Sequence, residues 1–176
     1  DQTWSGTIDF DGTYLWTSKV PTSKTWLYSL ANVSALPEYL SADDPSLPDH
    51  SNQADGIVKY GGGSDIAAVE ADLEGTGVAK YVVGMGQNGV AFARYWPTPA
   101  KTWTLSWPSE GTYGAAWTYQ TSLYFADNLG SGIWEAKDID LTAQTATIKR
   151  VGDGLGSLGS NDGMNCMKVA PPKWPP

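Results

Sequence analysis

The acidic stretch between residues 31 and 56 holds the side chains that most directly suggest chemistry. Four of its carboxylates could supply the oxygen ligands that calcium takes in proteins: Asp43, Asp44, Asp49 and Asp55. Their spacing does not match an EF-hand, and an acidic run broken by prolines is typical of a solvated surface. His50 is the only histidine, so a metal site built from several imidazoles is excluded. A catalytic serine triad is excluded as well, unless His50 is its base. We interpret the stretch as a long exposed loop, with a calcium site as the alternative.

A second group of acidic and amide side chains follows strand-like sequence: Asp127, Asn128, Asn161, Asp162 and Asn165. Asp-Asn and Asn-Asp-Gly sequences commonly make turns, because their side chains accept hydrogen bonds from nearby backbone amides and tolerate a left-handed backbone. Taken alone, these residues favour turns over a reactive site.

Tryptophan is the third candidate for chemistry, since the chain has nine Trp and nine Tyr beside three Phe. Four indole rings could form a platform for stacking sugars: Trp96, Trp103, Trp107 and Trp117. All four lie in or beside strand-like sequence, where such rings more often pack in a core. Packing is therefore the preferred interpretation, and carbohydrate binding the alternative.

Cys166 is the only cysteine, so no disulfide can form within the chain. It is expected either to be a buried thiol or to pair with a cysteine of another segment or protein. Asn32, in Asn32-Val33-Ser34, is the only glycosylation sequon and gives weak support for secretion.

Composition excludes several classes of protein. The net charge of −8 argues against nucleic acid as a partner, because phosphate binding needs a basic surface. No apolar run is long enough to cross a membrane as a helix. A length of 176 residues suits one domain, and 20 Gly with 11 Pro favour short strands and tight turns over helices.

Alternating and β-branched patterns predict four-stranded units over about residues 7–60, 64–107 and 111–151, with 161–169 opening another. The first unit has strands at 7–10, 13–17, 25–30 and 57–60, and the second at 66–73, 79–84, 90–96 and 102–107. The segment 66–73 has a helix-like composition, but the glycines after it favour a strand. Asn88-Gly89 predicts a hairpin turn centred on those two residues.

The third unit is the clearest. Its strands are expected within 111–117, 121–128, 132–141 and 146–151. The second and third units begin 47 residues apart, at residues 66 and 113, which matches the period of blade repeats. Residues 1–169 are thus predicted to form one all-β, propeller-like domain, followed by a proline-rich tail or linker at 170–176 that cannot continue a central strand.

The third unit also resembles a known group of proteins. Leu123-Tyr124-Phe125-Ala126-Asp127-Asn128, followed by Gly132-Ile133-Trp134, resembles the blades of secreted regucalcin-like, gluconolactonase-like and NHL-repeat propellers. Asn161-Asp162-Gly163-Met164 is similar to the element that opens blades in that group. The same segment, extended to Cys166, also resembles the Asn-Asp-Gly-x-x-Cys ending of an uncharacterised class of secreted propeller domains. The resemblance is good over 111–169 and loose over 7–107, and its motifs are generic to blades.

The resemblance implies a metal site. In gluconolactonase-like propellers, acidic and amide side chains near the blade tops hold a divalent metal that polarises a lactone or activates water. The matching residues are Asp162 and Asn128, with Asp127 beside them, and Ca²⁺ would be the cofactor.

Three units and the start of a fourth fall short of the about four to eight blades of a closed propeller. The sequence therefore predicts a partial β-propeller, completed by another segment or protein chain; the alternatives are a β-sandwich or a small barrel. We expect a secreted or cell-surface structural or binding module rather than an enzyme, with no membrane insertion. A metal-dependent lactonase-like hydrolase and a lectin that binds a glycan are the alternatives.

Overall fold

The computed structural model describes residues 4–8, 14–19, 24–29, 51–52, 65–86, 89–97, 102–108, 111, 113–154 and 156. These residues form β-strands and no helix, which confirms the all-β prediction. The strands are β1 (Trp4–Ile8), β2 (Tyr14–Lys19), β3 (Lys24–Ser29), β4 (Ser51–Asn52), β5 (Ile66–Ala71), β6 (Ala79–Gly86), β7 (Gly89–Trp96), β8 (Thr102–Leu105), β9 (Tyr113–Tyr119), β10 (Ser122–Asp127), β11 (Ile133–Asp140) and β12 (Thr145–Gly152).

The strands build antiparallel sheets of four, each hydrogen-bonded in chain order. Sheet 1 contains β1 to β4, sheet 2 contains β5 to β8, and sheet 3 contains β9 to β12. Each sheet is thus a simple meander, as the repeated units predict. The described residues contain no helix long and apolar enough to span a membrane.

Several predicted boundaries need correction; β1, for example, begins at Trp4 and not at residue 7. Ser51 and Asn52 pair with β3, so part of the expected surface excursion at 31–56 belongs to sheet 1. Gly89 pairs with Gly86 as the first residue of β7, and so it is not a central residue of the hairpin turn as predicted. The predicted strand at 57–60, like Asn88, lies outside the described residues. The prediction that the segment starting at residue 66 forms a strand and not a helix is confirmed, since β5 is a strand.

The core of the described residues lies between sheet 2 and sheet 3. Val83 and Phe92 from sheet 2 share one apolar cluster with Leu123 and Phe125 from sheet 3, and all four are at most 1% exposed. Burying such side chains removes apolar surface from water, which is the main force that holds the two sheets together. Because neighbouring residues of a strand point to opposite faces, this cluster uses one face of each sheet.

The other face of sheet 2 is buried as well. Ile66, Ala68 and Val82 lie on that face and are at most 1% exposed. The first strands of the sheets lie side by side, with β5 in contact with both β1 and β9. Sheet 2 is therefore the middle sheet of the described structure.

Polar contacts fix how sheet 3 sits against sheet 2. The Thr118 hydroxyl in β9 donates to the Ala68 carbonyl at 2.8 Å, and the Leu141 amide donates to the Leu73 carbonyl at 2.7 Å. The buried Asp65 carboxylate accepts from the Ile66 amide at 3.0 Å with one oxygen, while the other lies 3.4 Å from the Ala116 amide. The bonds of Thr118 and Leu141, with the approach of the Ala116 amide to Asp65, thus connect sheet 2 and sheet 3 at several points along the interface.

Gly89 illustrates how tightly the sheets are built. Its φ is +129°, and a Cβ at this position would collide with the carbonyl oxygen of Leu105. We expect Gly89→Ala to lower the free energy of unfolding by about 2 kcal/mol or more, because backbone strain and the collision add together. Urea unfolding would measure the loss. Gly75→Ala is the matched control: φ is +72° there but no atom lies within 4 Å, so equal losses for the two variants would refute the collision.

Candidate functional site

Asp127 closes the turn between β10 and β11. Its carboxylate accepts from the Leu129 amide at 3.1 Å and from the Ser131 amide at 2.9 Å, and its own amide donates to the Gly132 carbonyl. The side chain is buried and both of its oxygens are used by backbone groups. This is the turn-making role that Asp-Asn sequences favour.

Asn128 differs from its neighbour. The residue is 8% exposed, and its side-chain oxygen is buried without a hydrogen-bond partner. A buried amide oxygen without a partner costs free energy, which sets Asn128 apart from Asp127, whose two carboxylate oxygens are both bonded. Within the described ranges, no group of three or more His, Cys, Asp or Glu side chains could hold a metal ion.

Several predicted site residues cannot be placed against this turn. Asp162, the other proposed metal ligand, lies outside the described residues. So do Asn161, Asn165, Cys166, Asn32, His50 and the four aspartates of the acidic stretch. Their roles stay predictions.

Two of the four candidate tryptophans belong to the packing between sheets. The Trp107 ring lies edge-on to Phe125, with centroids 5.3 Å apart, and its indole nitrogen donates to the Tyr113 hydroxyl at 2.9 Å. Trp103 is 8% exposed and meets Tyr81 edge-on at 6.1 Å. Both rings thus contribute to packing, Trp103 as a buried side chain and Trp107 as a half-buried one.

The other two tryptophans are more accessible. Trp96 is 45% exposed, and the Lys80 ammonium lies 5.9 Å from its ring centroid. Trp117 is half-buried and stacks on Tyr124 with centroids 5.6 Å apart and planes 7° from parallel. The structure therefore does not bring the four rings together into one platform.

Sheet 3 carries a polar group around Tyr124 that the sequence did not suggest. The Tyr124 hydroxyl donates to Glu135 Oε1 at 2.8 Å, and Lys149 Nζ lies 3.2 Å from Glu135 Oε2. Burial, together with the hydrogen bond to Glu135, raises the pKa of Tyr124 to about 12. The register of the hairpin places Glu135 opposite Tyr124, and strand register is the signal that could have revealed the pair.

A related group lies in sheet 2. The Tyr81 hydroxyl and the Arg94 guanidinium both donate to Glu74 Oε1, each at 2.9 Å. Burial of the phenol is the main cause that raises the pKa of Tyr81 well above its usual range, and the hydrogen bond to Glu74 is the second. Both groups hold a phenol protonated, which suits a packing role better than proton transfer near neutral pH.

Stability should fall between about pH 10 and pH 12 because of Tyr124. Its phenol ionises near pH 10 in the unfolded chain and near 12 in the folded one, so its contribution is complete below pH 10 and is lost as the pH rises through 12. Urea unfolding at a series of pH values would measure this. Tyr124→Phe removes the phenol but keeps the ring, so identical pH slopes for wild type and variant would contradict the prediction.

Comparison with protein-family models, with curated proteins and with solved structures finds no match to this chain.

Proposed function

We propose that the chain is a structural or binding module of an extracellular protein or assembly, built as part of a β-propeller. The observation that carries the proposal is the contact of first strand with first strand, β1 with β5 and β5 with β9, between successive four-stranded meanders. Propeller blades are arranged in this way around a central axis. In a β-sandwich, the strands of one sheet pack broadly over the face of the other.

The polar groups support a packing role. The Asp127 carboxylate is held by backbone amides, and the carboxylates of Glu74 and Glu135 are held by phenols and by Arg94 or Lys149. A general base or nucleophile needs a group that can reach a substrate. The Asp127 carboxylate instead holds a turn, and those of Glu74 and Glu135 bond side chains of neighbouring strands.

Sedimentation analysis of the purified chain over a range of concentrations tests whether the chain is part of a larger propeller. We expect reversible association above the monomer mass of 18.8 kDa, because an incomplete propeller leaves an uncovered sheet. A chain that stays monomeric at every concentration and unfolds in one cooperative step would contradict a partial propeller and favour a closed sandwich.

The extracellular location rests on the Asn32 sequon and on the resemblance to secreted propellers. Expression through a eukaryotic secretory pathway should add a glycan that an endoglycosidase removes. The Asn32→Gln variant should lack the mass of this glycan. A secreted chain without a glycan would remove this support.

Asn128 favours the metal-dependent hydrolase as a second candidate function. Its buried, unpartnered oxygen could become satisfied by binding a divalent cation. In that case Ca²⁺ should raise the melting temperature of the wild type but not of Asn128→Ala, and lactones should be hydrolysed. Asp153→Asn, at an exposed carboxylate, is the control that should keep the shift. No shift and no hydrolysis would remove this candidate.

Trp96 is the observation that favours the lectin. Its ring is 45% exposed, and a planar ring can present an apolar face to a pyranose. A glycan found on an array should change tryptophan fluorescence in the wild type and not in Trp96→Ala. Leu129→Ala, which also removes an exposed apolar side chain, should bind normally. Unchanged fluorescence across all glycans would contradict a lectin.

A further inference from the structure

Asp153 and Gly154 follow β12 and lie just outside the ladder of sheet 3. β12 ends at Gly152, which pairs with Ile133 as the last residue of the strand. The Asp153 side chain is 95% exposed. The Gly154 amide makes no backbone hydrogen bond to another described residue. The carboxyl group and the amide that follows it are therefore not held by strand pairing.

An aspartate followed by glycine can isomerise its own backbone. The glycine amide nitrogen attacks the side-chain carbon Cγ, so that an N–Cγ bond forms, a C–O bond breaks and one water leaves as a five-membered succinimide closes. Water then breaks the bond between the nitrogen and the original main-chain carbonyl carbon, which leaves the chain linked through Cγ as isoaspartate. The net composition is unchanged, and water is the only co-reactant.

Glycine favours this reaction because it has no Cβ to hinder ring closure. The chain has four Asp-Gly pairs, at 11–12, 55–56, 153–154 and 162–163. Of these, Asp153-Gly154 is the pair that lies wholly within the described residues. Asp138 and Asp140 are also exposed, but both lie in β11 and precede the bulky residues Ile139 and Leu141. They provide internal controls for exposure alone.

Packing requires glycine at position 154. A Cβ there would collide with the carbonyl oxygen of Gly130 and would lie 2.9 Å from its Cα. A side chain that would hinder ring closure is therefore excluded at this position by the β10–β11 turn. The close approach holds Gly154, whereas the reaction requires rotation of the exposed Asp153.

Arg150 holds the Asp153 carboxylate only loosely. Its Nη2 lies 2.8 Å from Oδ1 of Asp153, and the Arg150 side chain is 47% exposed. An ion pair this exposed contributes little to stability and opens readily in water. The contact orients the carboxylate without enclosing it, so Cγ stays accessible to the amide of the next residue.

We propose that Asp153-Gly154 is a site of spontaneous modification, at which the folded protein converts aspartate to isoaspartate. The product has one additional backbone carbon between Asp153 and Gly154, and its carboxylate is attached directly to Cα. Gly154 then has to move relative to Gly130, and the carboxylate relative to Arg150. The modification thus acts on the connection that leaves sheet 3, and it does not depend on the proposed function.

Ageing the full chain in H₂¹⁸O at neutral pH tests this site. Each succinimide that opens leaves one ¹⁸O in the product, and fragmentation of the digested chain separates Asp153 from Asp162 and isoaspartate from aspartate. We expect ¹⁸O and isoaspartate at Asp153 to exceed those at Asp138 and Asp140 several-fold. The Asp153→Glu variant keeps the carboxylate but would have to close a six-membered ring, so residue 153 should stay unlabelled.

Two outcomes would overturn the proposal. Label at Asp153 no greater than at Asp138 and Asp140 would show that the fold blocks ring closure, and the same incubation in urea would then release it. Equal label at residue 153 in wild type and Asp153→Glu would mean that the ¹⁸O enters by simple exchange of carboxyl oxygens and not through a succinimide.

Discussion

Phe125→Ala is expected to lower the free energy of unfolding by about 3–5 kcal/mol. Phe125 is 1% exposed, and it lies at the centre of an aromatic group with Trp107 at 5.3 Å and Tyr113 at 6.3 Å. Truncation removes the transfer free energy of a phenyl ring and leaves a cavity that these rigid rings cannot collapse to fill. It also removes edge-to-face contacts, which contribute beyond the area that they bury.

Urea unfolding followed by tryptophan fluorescence would measure this loss, because the nine tryptophans report on unfolding of the chain. Leu129→Ala is the matched control: Leu129 lies in the adjoining turn and is 63% exposed, so its loss should stay within about 0.5 kcal/mol. A Phe125→Ala variant as stable as Leu129→Ala would mean that the aromatic group does not hold sheet 2 and sheet 3 together.

The strands were predictable because their signals are local. Alternation in β9 to β12 and the Asp127-Asn128 turn depend on residues within a few positions of one another, and the structure places strands and turn where these patterns indicate. Gly89 was misplaced by local reasoning as well. The Asn-Gly pair signals a hairpin, but it does not fix which two residues stand at the centre of the turn.

The polar group around Glu74 and the bond of Thr118 were not predictable because they depend on contacts distant in sequence. Glu74 receives bonds from residues 7 and 20 positions away, and Thr118 bonds a carbonyl 50 positions away. Nothing in the neighbourhood of Glu74 distinguishes it from a surface carboxylate. The tryptophans show the same limit: Trp96 and Trp103 both lie in strands, yet tertiary packing buries one and exposes the other.

Glu74→Ala is expected to lower the free energy of unfolding by about 3 kcal/mol. The Glu74 side chain is 8% exposed and that of Arg94 is 20% exposed, so removal of the carboxylate leaves a largely buried cation and the Tyr81 phenol without their shared acceptor. Thermal and urea unfolding would measure the loss.

Glu135→Ala is the matched control, because Glu135 holds Tyr124 in sheet 3 as Glu74 holds Tyr81 in sheet 2. Lys149 is 54% exposed and can return to water when its partner is removed, so this loss should be only about 1 kcal/mol. A double-mutant cycle of Glu74→Ala with Tyr81→Phe then isolates the phenol's share, which should be about 1 kcal/mol. Equal losses for Glu74→Ala and Glu135→Ala would show that burial of the cation does not decide the outcome, and that sheet 2 is no more tightly enclosed than sheet 3.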